Sequence, residues 1–475
     1  MKRPRVLIEE WLPAAAIGVE CIRERSTGQQ PPDKRLHVWW ARRPLTAARA
    51  AVLGSVLPAD FPRDVFEKLL GFGRPGSELV QVRAWMDTGY RVPGGFNCDR
   101  AFKRGLPDEH LSKAHQAAEK LWGLKPRIID PMSGGGSIPL ESARLGFETL
   151  ANEYNPVACS ILEATVDYPF RFGGKLATRA RHWAKLWENR ITERLSKFYP
   201  QHRLSKVHAY IFARTVPCPD TKHHTPLVPD WHLLKPKSGT RLVARPHVDR
   251  KNGTWWVDMV KIGQGAGQVS DPPRPTYAKG KGVSLFTDHQ IDSGWIKAKA
   301  QNGEMRSAMY AVALKTPQGL IFQPPTQDDL RAVTAAQREI ERLRIDWEKA
   351  NIIPTESIPV GDKTVEPLAR GIAHWADLFA PRQLLCFGVL TEELQRLRKE
   401  IVKAEGAAFG EAVHHLLCMV LDKFANYNSI LCSWHAPHSI MRSVFDRHDF
   451  SFKPSFAEMA PCNLNYAQIR HAHHA

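Results

Sequence analysis

Three consecutive glycines, Gly134-Gly135-Gly136, stand between two short apolar runs, and no other feature of this 475-residue sequence restricts its fold so tightly. Ile128 and Ile129 supply a buried strand that stops at Asp130, and Pro131-Met132-Ser133 lead into the glycines. With no Cβ atoms in the way, the backbone there can turn sharply and approach a neighbour closely. Ser137, with Pro139 in the first turn, starts a helix, and Gly146 closes it. A second strand, Phe147 to Asn152, ends at Glu153, 23 positions beyond Asp130. Asn155 and Pro156 then cap the next helix. Strand, glycine turn, helix, strand and acidic residue predict an α/β fold with a Rossmann-like core. In such folds an acidic side chain at about that offset grips a ribose hydroxyl.

Three readings of the glycine loop compete. A Walker-type phosphate loop is excluded, because Gly173-Gly174-Lys175 has Pro169 where the earlier glycine belongs and no Ser or Thr after the lysine. A dinucleotide loop wants G-x-G-x-x-G. Gly134 and Gly136 fit that pattern, but Pro139 holds the third position. The carboxylate of Asp130, at the tip of the first strand, suits a cationic ligand head such as an amino-acid ammonium. S-adenosyl-L-methionine presents that ammonium, a sulfonium and a ribose diol. The residues favour this cofactor and leave a nicotinamide dinucleotide, or a glycine turn with no ligand, as alternatives.

Charge adds a second constraint. Lys and Arg total 66 against 49 Asp and Glu, a formal net charge of +17. A field of that sign favours polyanions, DNA among them, although many basic proteins bind none. The start of the chain does not read as a secretory signal, since Glu9, Glu10 and Pro13 break its apolar stretch. No apolar run is long enough for a membrane span. Eight scattered cysteines read as reduced thiols, so a cytoplasmic protein is expected.

Five segments are expected along the chain. Residues 1–120 form a helical N-terminal region, and 121–170 the cofactor-binding Rossmann-like core. Residues 171–325 form a β- and loop-rich insert, with a hairpin turn at Arg250-Lys251-Asn252-Gly253. Residues 326–460 are helical and face DNA, with helices over Gln327 to Trp347 and near 381–404 and 407–424. Residues 461–475 are a disordered, His-rich tail.

The run Asp130-Pro131-Met132-Ser133-Gly134-Gly135-Gly136-Ser137-Ile138-Pro139-Leu140-Glu141, followed by Asn152-Glu153-Tyr154-Asn155-Pro156-Val157-Ala158, resembles the cofactor motifs of a known family. That family is the large adenine-specific DNA methylases with an inserted zinc ribbon. Leu7 to Pro13 and His37-Val38-Trp39-Trp40-Ala41-Arg42-Arg43-Pro44-Leu45 resemble its N-terminal region, catalogued as a domain of unknown function. By position, Trp40-Ala41-Arg42-Arg43-Pro44 is similar to the segment that folds over the methionine end of the cofactor in amino-methyltransferases. Without the resemblance, the same cluster reads as a helix-packing aromatic with solvated arginines. The resemblance covers most of the chain. It implies an S-adenosyl-L-methionine-dependent DNA methyltransferase acting on the exocyclic amine of adenine, in restriction-modification or phage defence. The implied cofactor site is Asp130, Pro131, Ser133, Gly134, Gly135, Gly136, Glu153, Asn155, Trp40 and Arg42.

The sequence departs from the family twice. A structural zinc needs four ligands, whereas Cys218, His223 and His224 are the only close set in the insert, so no metal is expected. Pro226-Leu227-Val228-Pro229 still resembles the stretch that follows the ribbon. The family's Asp/Asn-Pro-Pro-Tyr/Phe motif, which accepts from the extruded base's amine and stacks on its ring, is not found. In Ser270-Asp271-Pro272-Pro273-Arg274 an arginine takes the aromatic position and no apolar strand precedes it, so this reads as a surface loop. Gln323-Pro324-Pro325-Thr326 fits no better, and no catalytic residue is assigned.

Ala425-Asn426-Tyr427-Asn428 and Cys432-Ser433-Trp434-His435 resemble the approach to that motif, but Asn463 to Ala475 resembles nothing in the family, as truncation or a shifted reading frame would produce. The expectation is a cofactor-binding methyltransferase chain with an incomplete, open-edged sheet, whose catalytic segment is missing or supplied by a partner polypeptide. The alternative is a non-catalytic DNA-binding module or subunit of a modification or defence system. A nicotinamide-dependent oxidoreductase is disfavoured by the third glycine position and the basic charge.

Overall fold

The computed structural model describes residues 3–25, 31–202, 205–263, 268–269, 271–445 and 450–461. Among these, the chain forms two compact units, one of residues 3–181 with 407–416 and the other of 182–406 with 417–461. Of the expected tail 461–475, Pro461 is described and buried, while the residues from Cys462 onward, like Ser270, lie outside the described residues.

The first unit is mainly helical over its first 120 residues. Its helices include α1 (Ala14–Arg25), α2 (Leu45–Val56) and α3 (Asp108–Trp122). Asp108 and Glu109 in the first turn of α3 complement the helix dipole, and Gly123, at φ +72°, closes it. The core gathers Leu7, Leu53, Leu57, Phe66, Leu69, Leu70 and Leu79, all fully buried. Short apolar side chains on both sides of α2 let it run through the middle of this core, so that even Arg49 has no exposure.

Strands β1 (Ile128–Asp130) and β2 (Thr149–Ala151) pair in parallel, Ile129 opposite Leu150, with α4 (Ser137–Arg144) connecting them. The Rossmann-like core expected for 121–170, with an incomplete and open-edged sheet, is not evident as a Rossmann sheet: among the described residues this sheet has two strands, and the other sheets are small and mostly antiparallel. What stands is a mixed α/β protein of 47% helix and 18% strand. Three ladder positions are all that runs as short as Ile128–Asp130 and Thr149–Ala151 can make. Ile129 and Leu150 remain 67% and 50% exposed, as in a sheet with one face uncovered.

The second unit is built on β3 (Lys206–Pro217), whose residues are buried on both faces. Ala209, Ile211 and Ala213 face a core with Trp231 and Tyr310. Tyr210 faces the guanidinium of Arg382 instead. At its Pro217 end β3 pairs with β4 (His224–Leu227). Next come the antiparallel strands β5 (His232–Leu234), β6 (Arg241–Asp249) and β7 (Thr254–Ile262). The β6–β7 turn is the expected one: Asp249 Oδ1 accepts from the N–H groups of Lys251 and Asn252, and Gly253 takes φ +65°.

Strands β8 (Arg306–Thr316), β9 (Gly319–Gln323) and β10 (Ser455–Glu458) complete the main sheet in the order β9-β8-β3-β10, all antiparallel. Three long helices follow β9 in the chain, α5 (Gln327–Lys349), α6 (Pro381–Glu405) and Ala407–Tyr427, close to their expected spans. Thr326 and Asp329 close a reciprocal capping box at the start of α5. Strand β10 departs from the helical reading of 326–460. Its four residues, within the six that separate Pro454 from Pro461, carry too little periodicity to read, and β3, far away in sequence, makes them a strand. No helix among the described residues is long and apolar enough to cross a membrane.

Candidate functional site

The glycine loop sits at the tips of β1 and β2 in the first unit. Gly134 and Gly136 take φ values of +52° and +83°, so the turn requires the left-handed backbone that glycine adopts without strain. Gly135 is constrained differently: a Cβ there would lie 2.9 Å from the Trp39 ring. The loop is knitted by Ser133, whose N–H donates to the Asn152 carbonyl and whose hydroxyl donates to the Asp130 carbonyl, both at 3.0 Å.

Two carboxylates flank this loop. Asp130 is nearly buried, and its Oδ1 accepts from the Met132 N–H at 3.2 Å. Glu153 Oε2 accepts from the Gly134 N–H at 2.6 Å, and its Oε1 from the N–H groups of Tyr154 and Asn155 at 2.8 and 3.0 Å. Those donors, Asn155 and Gly134 foremost, hold its carboxyl below the usual range. Asn155 caps the helix Pro156–Leu162 as expected, its Oδ1 accepting from Val157 and Ala158. Pro131 is exposed, and its carbonyl accepts from Asn152 Nδ2. Nine of the sequence-derived residues other than Trp40 therefore fall into two groups: Asp130, Pro131, Ser133, Gly134, Gly135, Gly136, Glu153 and Asn155 at the strand tips, and Arg42 in the preceding segment.

That segment does reach the loop. The Ser137 hydroxyl, at the start of α4, donates to the Arg43 carbonyl at 2.7 Å, and the Trp39 ring lies against Gly134 and Gly135. Trp39, absent from the sequence-derived set, is the contact residue, while Trp40 is 46% exposed. Nothing in Trp39-Trp40 distinguishes the inward ring, because no strand or helix periodicity runs through the pair. The Arg42 guanidinium is brought down to about 10 by burial, with Glu24 opposing. Glu24, itself raised chiefly by burial, accepts from the Leu45 N–H.

Buried charge fixes the supporting helices. Arg49 Nε on α2 donates to Glu141 Oε2 on α4 at 2.5 Å, with neither side chain exposed, and Arg144 adds a second bond to Glu141 at 2.8 Å. Ser160 Oγ lies 2.6 Å from His415 Nε2 and anchors the helix after Asn155. Sequence reasoning missed both pairs, since residues 92 and 255 positions apart carry no local signal. Two apolar side chains at the strand tips, Met132 and Tyr154, are 85% and 99% exposed.

The other candidate motifs lie in the second unit. Cys218, His223 and His224 turn to separate partners: the thiol lies 3.9 Å from Thr287 Oγ1, His223 packs on Phe286, and His224 bonds Thr215. No group of three metal-ligating side chains occurs among the described residues. Asp271 lies in an exposed proline-rich loop, where the Arg274 carbonyl accepts from Trp231 Nε1.

Residues 11–69 match a family model described as "Protein of unknown function (DUF1156)". That domain is an N-terminal domain of some DNA methylases, and no methylase family is detected in this chain. It spans α1, α2 and the Trp39–Arg43 segment that meets the glycine loop. No curated protein and no solved structure matches the chain.

Proposed function

We propose that the first unit is the S-adenosyl-L-methionine-binding part of an adenine-specific DNA methyltransferase. The observation that carries this reading is the convergence of three elements: the positive-φ glycine loop after β1, the Glu153 carboxylate after the parallel β2, and the Trp39–Arg43 segment laid across them. The matched domain at 11–69 supports it by the company that domain keeps.

The donor and acceptor inventory fits the cofactor. Asp130 Oδ2 takes no hydrogen bond among the described residues and would accept from the methionine ammonium. Glu153 would exchange its short bond from Gly134 for the ribose diol. The exposed Tyr154 ring offers an apolar wall, and Arg42 a cation for the methionine carboxylate. When bound, the cofactor supplies its own electrophile, the methyl of the sulfonium. Base extrusion and amine recognition need the absent Asp/Asn-Pro-Pro-aromatic motif. In this reading a partner polypeptide contributes it and extends the open β1–β2 sheet, whose edges are unpaired among the described residues.

Calorimetric titration of the purified chain with S-adenosylhomocysteine, repeated with a nicotinamide dinucleotide, tests the reading. Binding of the first alone is the expected result. A folded sample that binds neither would leave a DNA-binding module, which the net charge of +17 and the exposed Trp256 stacked on His247 of the β6–β7 hairpin favour.

A further inference from the structure

Within the second unit, far along the chain from the glycine loop, lies a cavity of about 360 Å³ lined by three arginines, Arg214, Arg344 and Arg370. Its wall is otherwise apolar in large part, with Ile340, Phe379 and Phe452. Gln337, Ile340, Glu341 and Arg344 recur at helical spacing, so α5 turns one face toward the cavity.

The three guanidinium groups are not equally satisfied. Arg344 is paired with Glu348 at 2.7 Å. Arg370 is 7% exposed; its Nε and Nη2 bond Glu366, its Cζ lies 3.9 Å from the Phe452 centroid, and the Tyr277 hydroxyl also meets its guanidinium. Arg214 has no ion pair at all among the described residues. Its Nη1 makes one long bond to Ser307 at 3.4 Å, and its shielded Nε makes none. Burial alone pulls that guanidinium down to about 10, with no carboxylate opposing it.

The two acids on the wall do not relieve Arg214. Asp377 Oδ2 is engaged by the N–H groups of Ala373 and His374, and Glu341 Oε1 by Gln337. Arg214 is half-buried, but its shielded Nε has neither a partner nor a counter-charge beside it, and polar groups left so in a folded protein call for an explanation. An anion in the cavity provides one. A guanidinium fork matches a phosphate in shape and charge, and the apolar wall leaves room for an organic body. The volume sits at the small end of ligand sites.

We propose that this cavity binds a small phosphate monoester, of about mononucleotide size or less, with its phosphate between Arg214 and Arg370. The site is separate from the glycine loop and does not depend on the methyltransferase reading.

Thermal unfolding of the full chain at constant ionic strength, in chloride buffer, tests it with adenosine monophosphate, inorganic phosphate and adenosine. The two phosphates raise Tm and adenosine does not. Arg214→Gln weakens the adenosine monophosphate response by roughly ten-fold, as expected for loss of a charge-assisted hydrogen bond. Glu153→Ala leaves it unchanged, which separates this site from the glycine loop. Arg214→Met in phosphate-free buffer unfolds no lower than the parent chain, because an uncompensated cation has been removed. Should Arg214→Gln not fold, Arg344→Gln weakens the response by about two- to five-fold, as for the accessible side chain that Arg344 carries on α5. The proposal is overturned if neither phosphate stabilises the parent chain, if adenosine does so equally, or if the folded arginine variants respond like the parent.

Discussion

Glu153 joins the two strand tips through three backbone N–H groups, and this makes its protonation state a test of what the loop is for. Asn155, Gly134 and Tyr154 all donate to the ionised carboxylate, so its folded pKa lies below the ordinary value. A depressed carboxyl stabilises the fold only while ionised. That contribution is complete above the unfolded value, about 4.3, and is lost as pH falls through the folded one. Affinity for S-adenosylhomocysteine should therefore stay level from pH 8 down past the ordinary carboxyl value of about 4.3 and drop only as pH falls through the lower folded value, if the same carboxylate grips the ribose. Glu153→Gln, an acceptor on one side only, should bind several-fold more weakly across the whole range, by roughly the worth of one charge-assisted hydrogen bond. Equal affinity of the two chains by calorimetry would move the ribose contact elsewhere. The glycines teach a different lesson. A sharp turn was legible from Asp-Pro-x-x-Gly-Gly-Gly, and 134 and 136 take positive φ in it, but Gly135 answers to a ring ninety-six positions earlier, which no local pattern announces.

Between elements, the tie that positions the loop is the α2–α4 contact, and it is electrostatic. Arg49 and Glu141 meet at 2.5 Å with no exposure, and Arg49 Nη1 also donates to the Leu70 carbonyl at 3.1 Å. Breaking such a pair from one side strands the other charge. Glu141→Gln or Arg49→Met alone should cost about 3–5 kcal/mol in urea unfolding. The double replacement Arg49→Met with Glu141→Leu should recover much of that loss, since two apolar side chains then fill the space. A double variant as unstable as the singles would mean that the helices are held by the bonds to Leu70 and Arg144 and not by the pair. Sequence reading reached the elements but not this tie. The helices at Gln327–Lys349, Pro381–Glu405 and Ala407–Tyr427 declare themselves through long 3.6-residue periodicity and caps. Strands β1 and β2 were legible because glycine punctuation brackets them. The Rossmann-like core inferred around them was an extrapolation from two strands to a fold, and β10 was missed because its identity depends on β3. Charged residues at 20, 24 and 49 read as helix surface in a sequence, yet all three are buried.

For the whole chain, the +17 charge and the absent catalytic motif make opposite demands on DNA binding, and cofactor dependence separates them. Phosphate contacts release counterions, so the logarithm of affinity should fall linearly with the logarithm of salt. About six contacts would cost on the order of 10³ in affinity between 50 and 200 mM. That much follows from charge under either functional reading. Base capture is another matter: an extruded adenine must be stacked and its amine accepted, and no Asp/Asn-Pro-Pro-aromatic sequence is present to do so. If that segment comes from a partner, the isolated chain has no group that senses cofactor and base together. Saturating S-adenosylhomocysteine should then leave duplex affinity unchanged within about two-fold, because a ligand shifts binding elsewhere only through a differential interaction. Fluorescence anisotropy with a labelled duplex, titrated with and without the cofactor product at fixed salt, measures this directly. Tightening of ten-fold or more would mean that this chain couples the two ligands on its own. The partner would then be unnecessary for base capture, and the search for an amine acceptor would return to the chain's own exposed loops.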